Sequence, residues 1–553
     1  MTGSERLAEV IAAHQSGDSK RAESIVQALL SEDSDDTEAL NAQGIILLHG
    51  GQIEAALDSF VKAADLAPTV GKYQNSIGSA QIALKQMDAA VENFSRAVEL
   101  EPDNADFWAN RASARMYSGN AKDAESDFER AIALEPDHYQ ARQNLADMFS
   151  RLNRPSDALP HLQCAARHPG RRIESVIHLA STYERLNRLA DAEHAMSEVG
   201  ESDHPWALSL RARLLRRRGD AAGGLAILQA ADLTGHGALD HDIAGNWHHE
   251  LALCADQAGE TGGVIENCLT AKSHWRQADH NHDGAEYLER VRHIRRTVSD
   301  ATSNPKGDAA REEMPPTVFF VGFPRSGTTL MEAMLDAHPD IVSTAEAELL
   351  EQLLDANGQP NVDYPRQLYL DDVRRRAGVI PATGVILDKL PLNLVYCRAI
   401  NQIFPDARLL VAVRDPRDVV LSCLMQRFRR NAAMPNFDTL EASVTLYEEV
   451  MSLWLDSRGS LTIPWHEYRY EDLVTNQAAT VDGVLAFIGL DRHPMMEDYR
   501  KMAASREVAT PSYRDVAEPI YDRAMGRWRT YKRDLEPVLD RLQPFVEAFG
   551  YEK

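Results

Sequence analysis

Residues 317–337 read TVFFVGFPRSGTTLMEAMLDA, and this stretch decides the fold of the second half of the chain. Its first six residues form a short apolar run typical of a buried strand, and the residues from Thr328 onward read as a helix. Between them, Gly322 and Gly327 enclose four residues. Such a strand, loop and helix N-terminus can cradle a phosphate, because free backbone N–H groups and the helix dipole attract anions. The stretch therefore predicts an α/β domain with a phosphate-binding loop.

The residues after Gly327 limit which phosphate this loop can bind. The spacing matches a nucleoside-triphosphatase loop, in which a lysine reaches the β- and γ-phosphates and the next hydroxyl holds Mg²⁺. Here Gly327 is followed by Thr328 and Thr329, and the cation stands earlier, at Arg325. We therefore expect a phosphate site without the triphosphate–Mg²⁺ apparatus, with a P-loop kinase as the weaker alternative.

A second apolar run, residues 407–413, ends in Arg414 and is followed by a predicted helix that carries Ser422. A guanidinium at a strand end and a hydroxyl two turns into the next helix can converge on one phosphate. A surface salt bridge would explain Arg414 alone. The two elements in this order favour phosphate binding.

Together these motifs resemble the sulfotransferase family that uses 3′-phosphoadenosine-5′-phosphosulfate (PAPS). PRSGTT (324–329) is similar to its 5′-phosphosulfate loop, and Arg414 with Ser422 is similar to its 3′-phosphate site. Within the family the likeness is greatest to protein-tyrosine sulfotransferases. It extends over about residues 317–553, through the block around Lys389, RYEDLV (469–474) and GRWR (526–529).

The resemblance implies a role for each matching residue. Lys389 would stabilise the bridging oxygen as the S–O bond breaks, Glu346 would accept the acceptor proton, and Ser512 would stabilise the transition state. The loop 512–521 would close over the nucleotide. No metal is expected, and the product would be 3′-phosphoadenosine-5′-phosphate (PAP). The residues that would hold the donor are Arg325, Ser326, Gly327, Thr328, Thr329, Arg414, Ser422, Tyr470 and Arg527.

Several of these roles have alternatives. Glu348 is the alternative base, and AEAELLEQLL (345–354) reads as the start of a helix, so either glutamate could instead be a helix N-terminal charge. Lys389 could be a solvated lysine, and Tyr470 could be a packing residue. The resemblance also implies arginines after the base that grip acidic peptides, where this chain has Ala347, Glu348 and Leu350. The sequence therefore predicts an acceptor with a hydroxyl group and leaves its class open: a peptide tyrosine, a saccharide, a lipid or a small molecule.

Before residue 300 the sequence repeats with a period of 34. A fixed period of this length predicts a helical solenoid. The tetrapeptide RLNR, at 151–154 and 185–188, keeps the same spacing. In each unit a small alanine would let two helices approach, a phenylalanine would fill the gap, and a proline would end the second helix. The recurring positions are Phe60, Phe94 and Phe128; Ala63, Ala97 and Ala131; and Pro68, Pro102 and Pro136.

This pattern resembles tetratricopeptide repeats, and the whole chain is similar to the tetratricopeptide-repeat sulfotransferases of bacteria. Clear units lie near 36–68, 69–102, 103–136, 137–170 and 171–204, with degenerate units on either side. We predict a solenoid over 1–300, a linker over 301–316, and over 317–553 a three-layer α/β P-loop-like sulfotransferase domain with a central parallel sheet. Such a solenoid binds a peptide or protein on its concave face. The alternatives are an array that only enlarges or dimerises the protein, or a scaffold with an inactive enzyme domain.

Composition supports a folded acidic protein. The chain has 553 residues and a net charge of −25, of which residues 317–553, with 27 Lys+Arg and 35 Asp+Glu, carry −8. This balance argues against nonspecific nucleic-acid binding, which needs a basic face. There is no apolar run of 18 residues, and the start, MTGSERLAEV, lacks the features of a signal peptide. We expect a cytoplasmic protein with no membrane span and leave a homodimer open.

Cysteine and histidine usage predicts no metal site. The five cysteines lie far apart and form no CxxC, so we expect reduced thiols. Seven histidines fall between residues 235 and 282, but no HExxH or CxxC accompanies them. We interpret them as surface or packing residues.

Overall fold

The computed structural model describes residues 3–168, 172–233, 239–278, 284–297, 314–361, 366–377, 380–381, 384–505 and 524–552. The chain divides into two compact units, Met1–Glu201 and Ser202–Lys553. Of the predicted linker, residues 301–313 lie outside the described residues. The predicted domain boundary near residue 300 stays a prediction.

The first unit consists of helix pairs, as the period of 34 predicts. Each pair from α3 to α12 falls within one of the clear sequence units, and α1 with α2 forms a degenerate unit before them. The helices are α1 (Gly3–Gln15), α2 (Ser19–Glu32), α3 (Thr37–His49), α4 (Ile53–Leu66), α5 (Gly71–Ala83), α6 (Met87–Leu100), α7 (Ala105–Tyr117), α8 (Ala121–Leu134), α9 (Tyr139–Arg151), α10 (Pro155–Ala165), α11 (Arg172–Arg185) and α12 (Leu189–Val199).

The recurring small and aromatic residues explain how the helices of a pair approach each other. Phe60 and Phe94 are buried between the helices of their pairs. A Cβ atom on Gly44 would lie 2.4 Å from the ring of Phe60, and one on Gly78 would lie 2.8 Å from Phe94. Glycine is needed at both positions because the ring occupies the space that a side chain would take. The solenoid prediction is confirmed for this unit.

The second unit begins with five helices: α13 (Pro205–Arg217), α14 (Ala221–Ala230), α15 (His241–Ala258), α16 (Val264–Ala278) and α17 (Ala285–Thr297). It then contains a five-stranded sheet with strands β1 (Thr317–Gly322), β2 (Ile341–Ser343), β3 (Val385–Lys389), β4 (Arg408–Val413) and β5 (Trp465–Arg469). The remaining helices are α18 (Thr328–Leu335), α19 (Arg366–Ala377), α20 (Cys397–Ile403), α21 (Pro416–Met425), α22 (Leu440–Ser457), α23 (Tyr470–Thr475), α24 (Gln477–Ile488), α25 (Tyr499–Ser505) and α26 (Lys532–Ala548).

The sheet is parallel throughout and has the order β2-β3-β1-β4-β5. Strands β1 and β3 bury every residue, because helices cover both faces of the sheet. In a parallel sheet all carboxyl ends meet at one edge, and in open α/β sheets ligands bind there. The predicted site residues follow β1, β3, β4 and β5 at that edge.

Helices α15 and α16 support helix α21, which carries Ser422. The half-buried ring of His249 donates through Nε2 to the carbonyl of Met425 at 3.0 Å, and Lys272 Nζ donates to the carbonyl of Gln426 at 3.1 Å. Burial lowers the pKa of His249 to about 4 and that of Lys272 to about 8. These donors satisfy carbonyls at the C-terminal end of α21, which have no partner within the helix. The helix pair thus belongs to the framework of the sheet-containing unit.

None of the helices in the described part of the chain is both long enough and apolar enough to cross a membrane.

Candidate active site

The loop after β1 turns sharply over the carboxyl edge of the sheet. Arg325 has φ of 70° and Gly327 has φ of 87°, and helix α18 starts at Thr328 without a side-chain cap. A Cβ atom on Gly327 would lie 2.4 Å from Cδ2 of Tyr470, so the ring of Tyr470 packs directly on the loop backbone. The side chains of Ser326, Thr328 and Thr329 are buried. The N-terminal amides of α18 are therefore left for a ligand or solvent.

Arg325, Ser422 and Arg414 come together beside this loop. Arg325 Nε donates to Ser422 Oγ at 3.0 Å, and Arg414 Nη1 donates to the carbonyl oxygen of Arg325 at 3.0 Å. The guanidinium of Arg414 lies over the ring of Tyr470, 4.6 Å from its centroid. The structure thus brings four of the predicted donor-binding residues into one cluster, although they come from two loops and two helices.

Arg414 has unused hydrogen-bonding capacity. Only 7% of the residue is exposed, and its Nε has no hydrogen-bond partner among the described residues. An unpaired buried N–H costs free energy, and a guanidinium prefers an anionic oxygen as partner. The cluster therefore fits a phosphate group.

Lys389, the last residue of β3, lies between two carboxylates. Its Nζ is 2.9 Å from Oε2 of Glu332 and also forms an ion pair with Oε1 of Glu346. The side chain of Lys389 is 1% exposed, as is that of Glu332, whereas Glu346 is 30% exposed. Burial alone would lower the pKa of Lys389, but the two carboxylates outweigh it and raise the pKa above its usual value. Lys389 is therefore a buried cation and not a solvated lysine.

The predicted helix start at residues 345–354 is wrong. Ala345 and Glu346 have φ of 49° and 60°, and helical structure is limited to a 3₁₀ turn at Glu351–Leu353. The Thr344 amide donates to the carbonyl of Leu387 and the Glu346 amide donates to that of Lys389. The chain thus continues alongside β3, because these sheet-type hydrogen bonds outweigh the helix propensity of the segment. Glu346 is held against Lys389 by this turn, while Glu348 is exposed.

Asp388 is a buried carboxyl beside Lys389, accepting a hydrogen bond from the Tyr369 hydroxyl at 2.9 Å. Burial raises its pKa to about 7. The folded protein therefore keeps a proton that an unfolded chain releases near pH 3.9. This contribution to stability is lost as pH rises from about 4 through about 7.

We expect Asp388→Asn to flatten the pH dependence of stability, since asparagine cannot ionise. Between pH 5.5 and 8 the unfolding free energy of the wild type should fall by about 2 kcal/mol more than that of the variant. Urea denaturation at both pH values measures this difference. Equal pH dependence in the two proteins would show that Asp388 does not hold this proton.

Arg527 has a partner that the sequence did not predict. It forms an ion pair with Asp256 of helix α15 at 2.6 Å. The neighbouring amides of Gly526 and Trp528 donate to Asp418 at 2.6 and 2.8 Å, and this holds the 526–529 turn on α21. Arg527 thus lies close to the helix of Ser422, and its contact with the donor stays a prediction. Ser512 and the loop 512–521 lie outside the described residues.

In the part of the chain that the structure describes, no three histidine, cysteine or acidic side chains are arranged to hold a metal ion. Four of the seven clustered histidines are described, and they contact one another or the protein. His241 lies 3.0 Å from His274, which stacks on His248, while His249 binds a backbone carbonyl. Those at 236, 280 and 282 lie outside the described residues. Cys254, Cys268, Cys397 and Cys423 are buried free thiols, and Cys164 is a half-buried one.

Sequence reasoning missed Glu332, Asp388 and Asp256. Glu332 is an acid in an otherwise apolar helix, TTLMEAML, and that isolation could have marked it. Asp388 is likewise an acid that directly follows the apolar residues of β3. Asp256 carries no local signal, because only the fold brings helix α15 to residue 527.

Comparison with known proteins agrees with this architecture. A family model described as "Sulfotransferase family" matches residues 316–495, and tetratricopeptide-repeat models match residues 7–70, 71–104 and 109–171. An uncharacterized protein of Aquifex aeolicus is 26% identical over 255 residues, which are 41% of this chain and 32% of that protein. Protein-tyrosine sulfotransferase 2 of Gallus gallus is 24% identical over 270 residues, 43% of this chain and 70% of that protein.

Among solved structures, a tetratricopeptide repeat protein from Parabacteroides merdae is 16% identical, with a TM-score of 0.34. That match covers 45% of this chain and 98% of the other. The match to the Aquifex protein covers about a third of the length of that relative.

Proposed function

We propose that this chain, which contains a sulfotransferase-family domain after a run of tetratricopeptide repeats, transfers a sulfuryl group from PAPS to an acceptor hydroxyl. The observation that carries the proposal is the buried Lys389 at the carboxyl end of β3, in contact with a partly exposed carboxylate, Glu346. The Arg325–Ser422–Arg414 cluster at the same sheet edge supports it. A cation, a base and an anion site at one edge are what sulfuryl transfer requires.

The phosphate groups of the donor bind the basic cluster. Arg325 and the N-terminal amides of α18, at Thr328 and Thr329, hold the 5′-phosphosulfate end together with Ser326 and Gly327 of the preceding loop. Arg414, whose buried Nε has no partner among the described residues, and Ser422 hold the 3′-phosphate. Tyr470 keeps the guanidinium of Arg414 in place by stacking beneath it.

The reaction itself exchanges one S–O bond for another. PAPS supplies an activated sulfuryl group, whose bond to the 5′-phosphate oxygen breaks as the acceptor oxygen bonds to sulfur. Lys389 stabilises the negative charge that develops on the departing phosphate oxygen. Glu346 takes the proton of the acceptor hydroxyl, and its partial exposure leaves it accessible to that acceptor.

We infer that the acceptor is neutral or basic near its hydroxyl. Glu346 and the exposed Glu348 are the charged residues of the segment 345–350, and Ala347 and Leu350 are buried. Two carboxylates repel an acidic peptide at close range. We further propose that the repeats bind a peptide or protein partner, and that the protein acts in the cytoplasm, since its cysteines are widely spaced without any CxxC.

The proposal is tested by incubating the full chain with PAPS labelled in its sulfate, without added metal, and a panel of phenols, tyrosine peptides, saccharides and lipids. We expect label to enter at least one hydroxyl acceptor as PAP is released. A parallel incubation with Mg²⁺ and ATP labelled in its γ-phosphate tests for a kinase. Transfer of phosphate without transfer of sulfate would overturn the proposal.

A further inference from the structure

The two carboxylates that contact Lys389 differ in burial and in support. Glu332 is 1% exposed, and its Oε1 accepts a hydrogen bond from Ser343 Oγ at 2.7 Å. Glu346 is 30% exposed and stands on a turn with left-handed backbone. Glu332 is thus buried and held in one position, whereas Glu346 is accessible to a bound acceptor.

We propose that Glu332 is a positioning residue, the permanent counter-ion that holds Lys389 in place and leaves Glu346 available as the base. This inference rests on the proposed sulfuryl transfer. It concerns a residue that the family motifs did not mark, on the helix that follows the phosphate loop.

The charges of Lys389, Glu332 and Glu346 explain why a second carboxylate is needed. Before the reaction, Lys389 shares its positive charge between Glu332 and Glu346, so Glu346 is not held in an exclusive ion pair. When Glu346 takes the acceptor proton it becomes neutral. Without Glu332, this step would leave Lys389 as a buried cation with no counter-ion, which is costly. With Glu332, the cation keeps one buried partner at every stage.

The same geometry argues against Glu332 as the base itself. Its Oε1 accepts from Ser343, its Oε2 faces Lys389, and the residue has almost no exposed surface for an acceptor. The raised pKa of Lys389 agrees with a cation that stays charged throughout. Glu332 therefore acts through Lys389 and not on the substrate.

The test compares Glu332→Gln and Glu332→Asp with the wild-type full chain. The matched control is Glu250→Gln. The side chain of Glu250 is also 1% exposed and also forms two ion pairs, with Arg213 and Arg216, but it lies on α15 and does not contact Lys389. For each protein, PAP release from PAPS is measured with the phenol 4-methylumbelliferone and with water alone. Titration with PAP and thermal unfolding are measured in parallel.

We expect Glu332→Gln to lower kcat by about 10- to 100-fold while changing the Kd for PAP less than threefold. Glu332→Asp should recover part of the rate, because it restores the charge. Glu250→Gln should lower the melting temperature without changing kcat. If Glu332→Gln keeps the wild-type kcat, or loses kcat and PAP affinity equally, the inference about Glu332 is overturned while the proposed function stands. If the wild type binds no PAP and releases none from PAPS, the proposed function fails and the inference fails with it.

Discussion

Replacing Lys389 with methionine is expected to lower kcat by about a thousandfold. The substitution removes the cation that, in the proposed reaction, stabilises the departing phosphate oxygen, a type of interaction that contributes about 10²- to 10³-fold. It also leaves Glu332 and Glu346 without their partner, so the protein should lose about 3–5 kcal/mol of stability. Steady-state PAP release from PAPS and urea denaturation measure the two effects.

Two further variants separate catalysis from folding. Lys389→Arg keeps the charge between the carboxylates and should fold, but its fork-shaped guanidinium cannot reproduce the ammonium geometry and the rate should stay low. Lys272→Met is the control for stability, because Lys272 is a similarly buried lysine of the same compact unit whose bond is to the carbonyl of Gln426. It should destabilise the protein but lower kcat far less than Lys389→Met does. A Lys389→Met protein that folds and turns over normally would contradict the assignment.

Glu346→Gln is expected to have the second largest effect. Glutamine keeps the shape of the side chain but cannot accept the acceptor proton, so kcat should fall by about 10²- to 10³-fold. Affinity for PAP should change little, because Glu346 contacts Lys389 and not the basic cluster. Single-turnover transfer to the best acceptor, with PAP titration in parallel, measures both quantities.

The neighbouring glutamate provides the control for this variant. Glu348 is exposed, and its replacement by glutamine should leave the rate within about twofold of the wild type. If Glu348→Gln loses the activity and Glu346→Gln retains it, then Glu348 is the base.

The features that the sequence predicts well are those that recur or that follow a strand. The period of 34 predicts each helix pair between residues 36 and 204, since the same position types return in every unit. The cluster of Arg325, Arg414, Ser422 and Tyr470 follows from parallel strands whose ends meet at one edge. In both cases local pattern and global fold agree.

The features that the sequence did not predict depend on contacts between distant segments. Residues 345–354 have strong helix formers, yet two hydrogen bonds to β3 draw the segment into a turn. Glu332 stands out as an acid in an apolar helix, but only the fold brings its partner Lys389 against it. The pairing of Arg527 with Asp256 arises in the same way, because helix α15 belongs to the unit that contains the sheet.

A calorimetric titration of the full chain with PAP shows whether the basic cluster binds the phosphates of the donor. We predict one saturable site for PAP. In Arg414→Ala the affinity should be roughly 100-fold weaker, because a charged hydrogen bond contributes about 1.5–3 kcal/mol. In Ser422→Ala the loss of PAP affinity should be smaller. Arg408→Ala, at the opposite end of β4, should bind PAP as the wild type does. Absence of PAP binding, or equal affinity in Arg414→Ala and the wild type, would show that this cluster does not bind the donor.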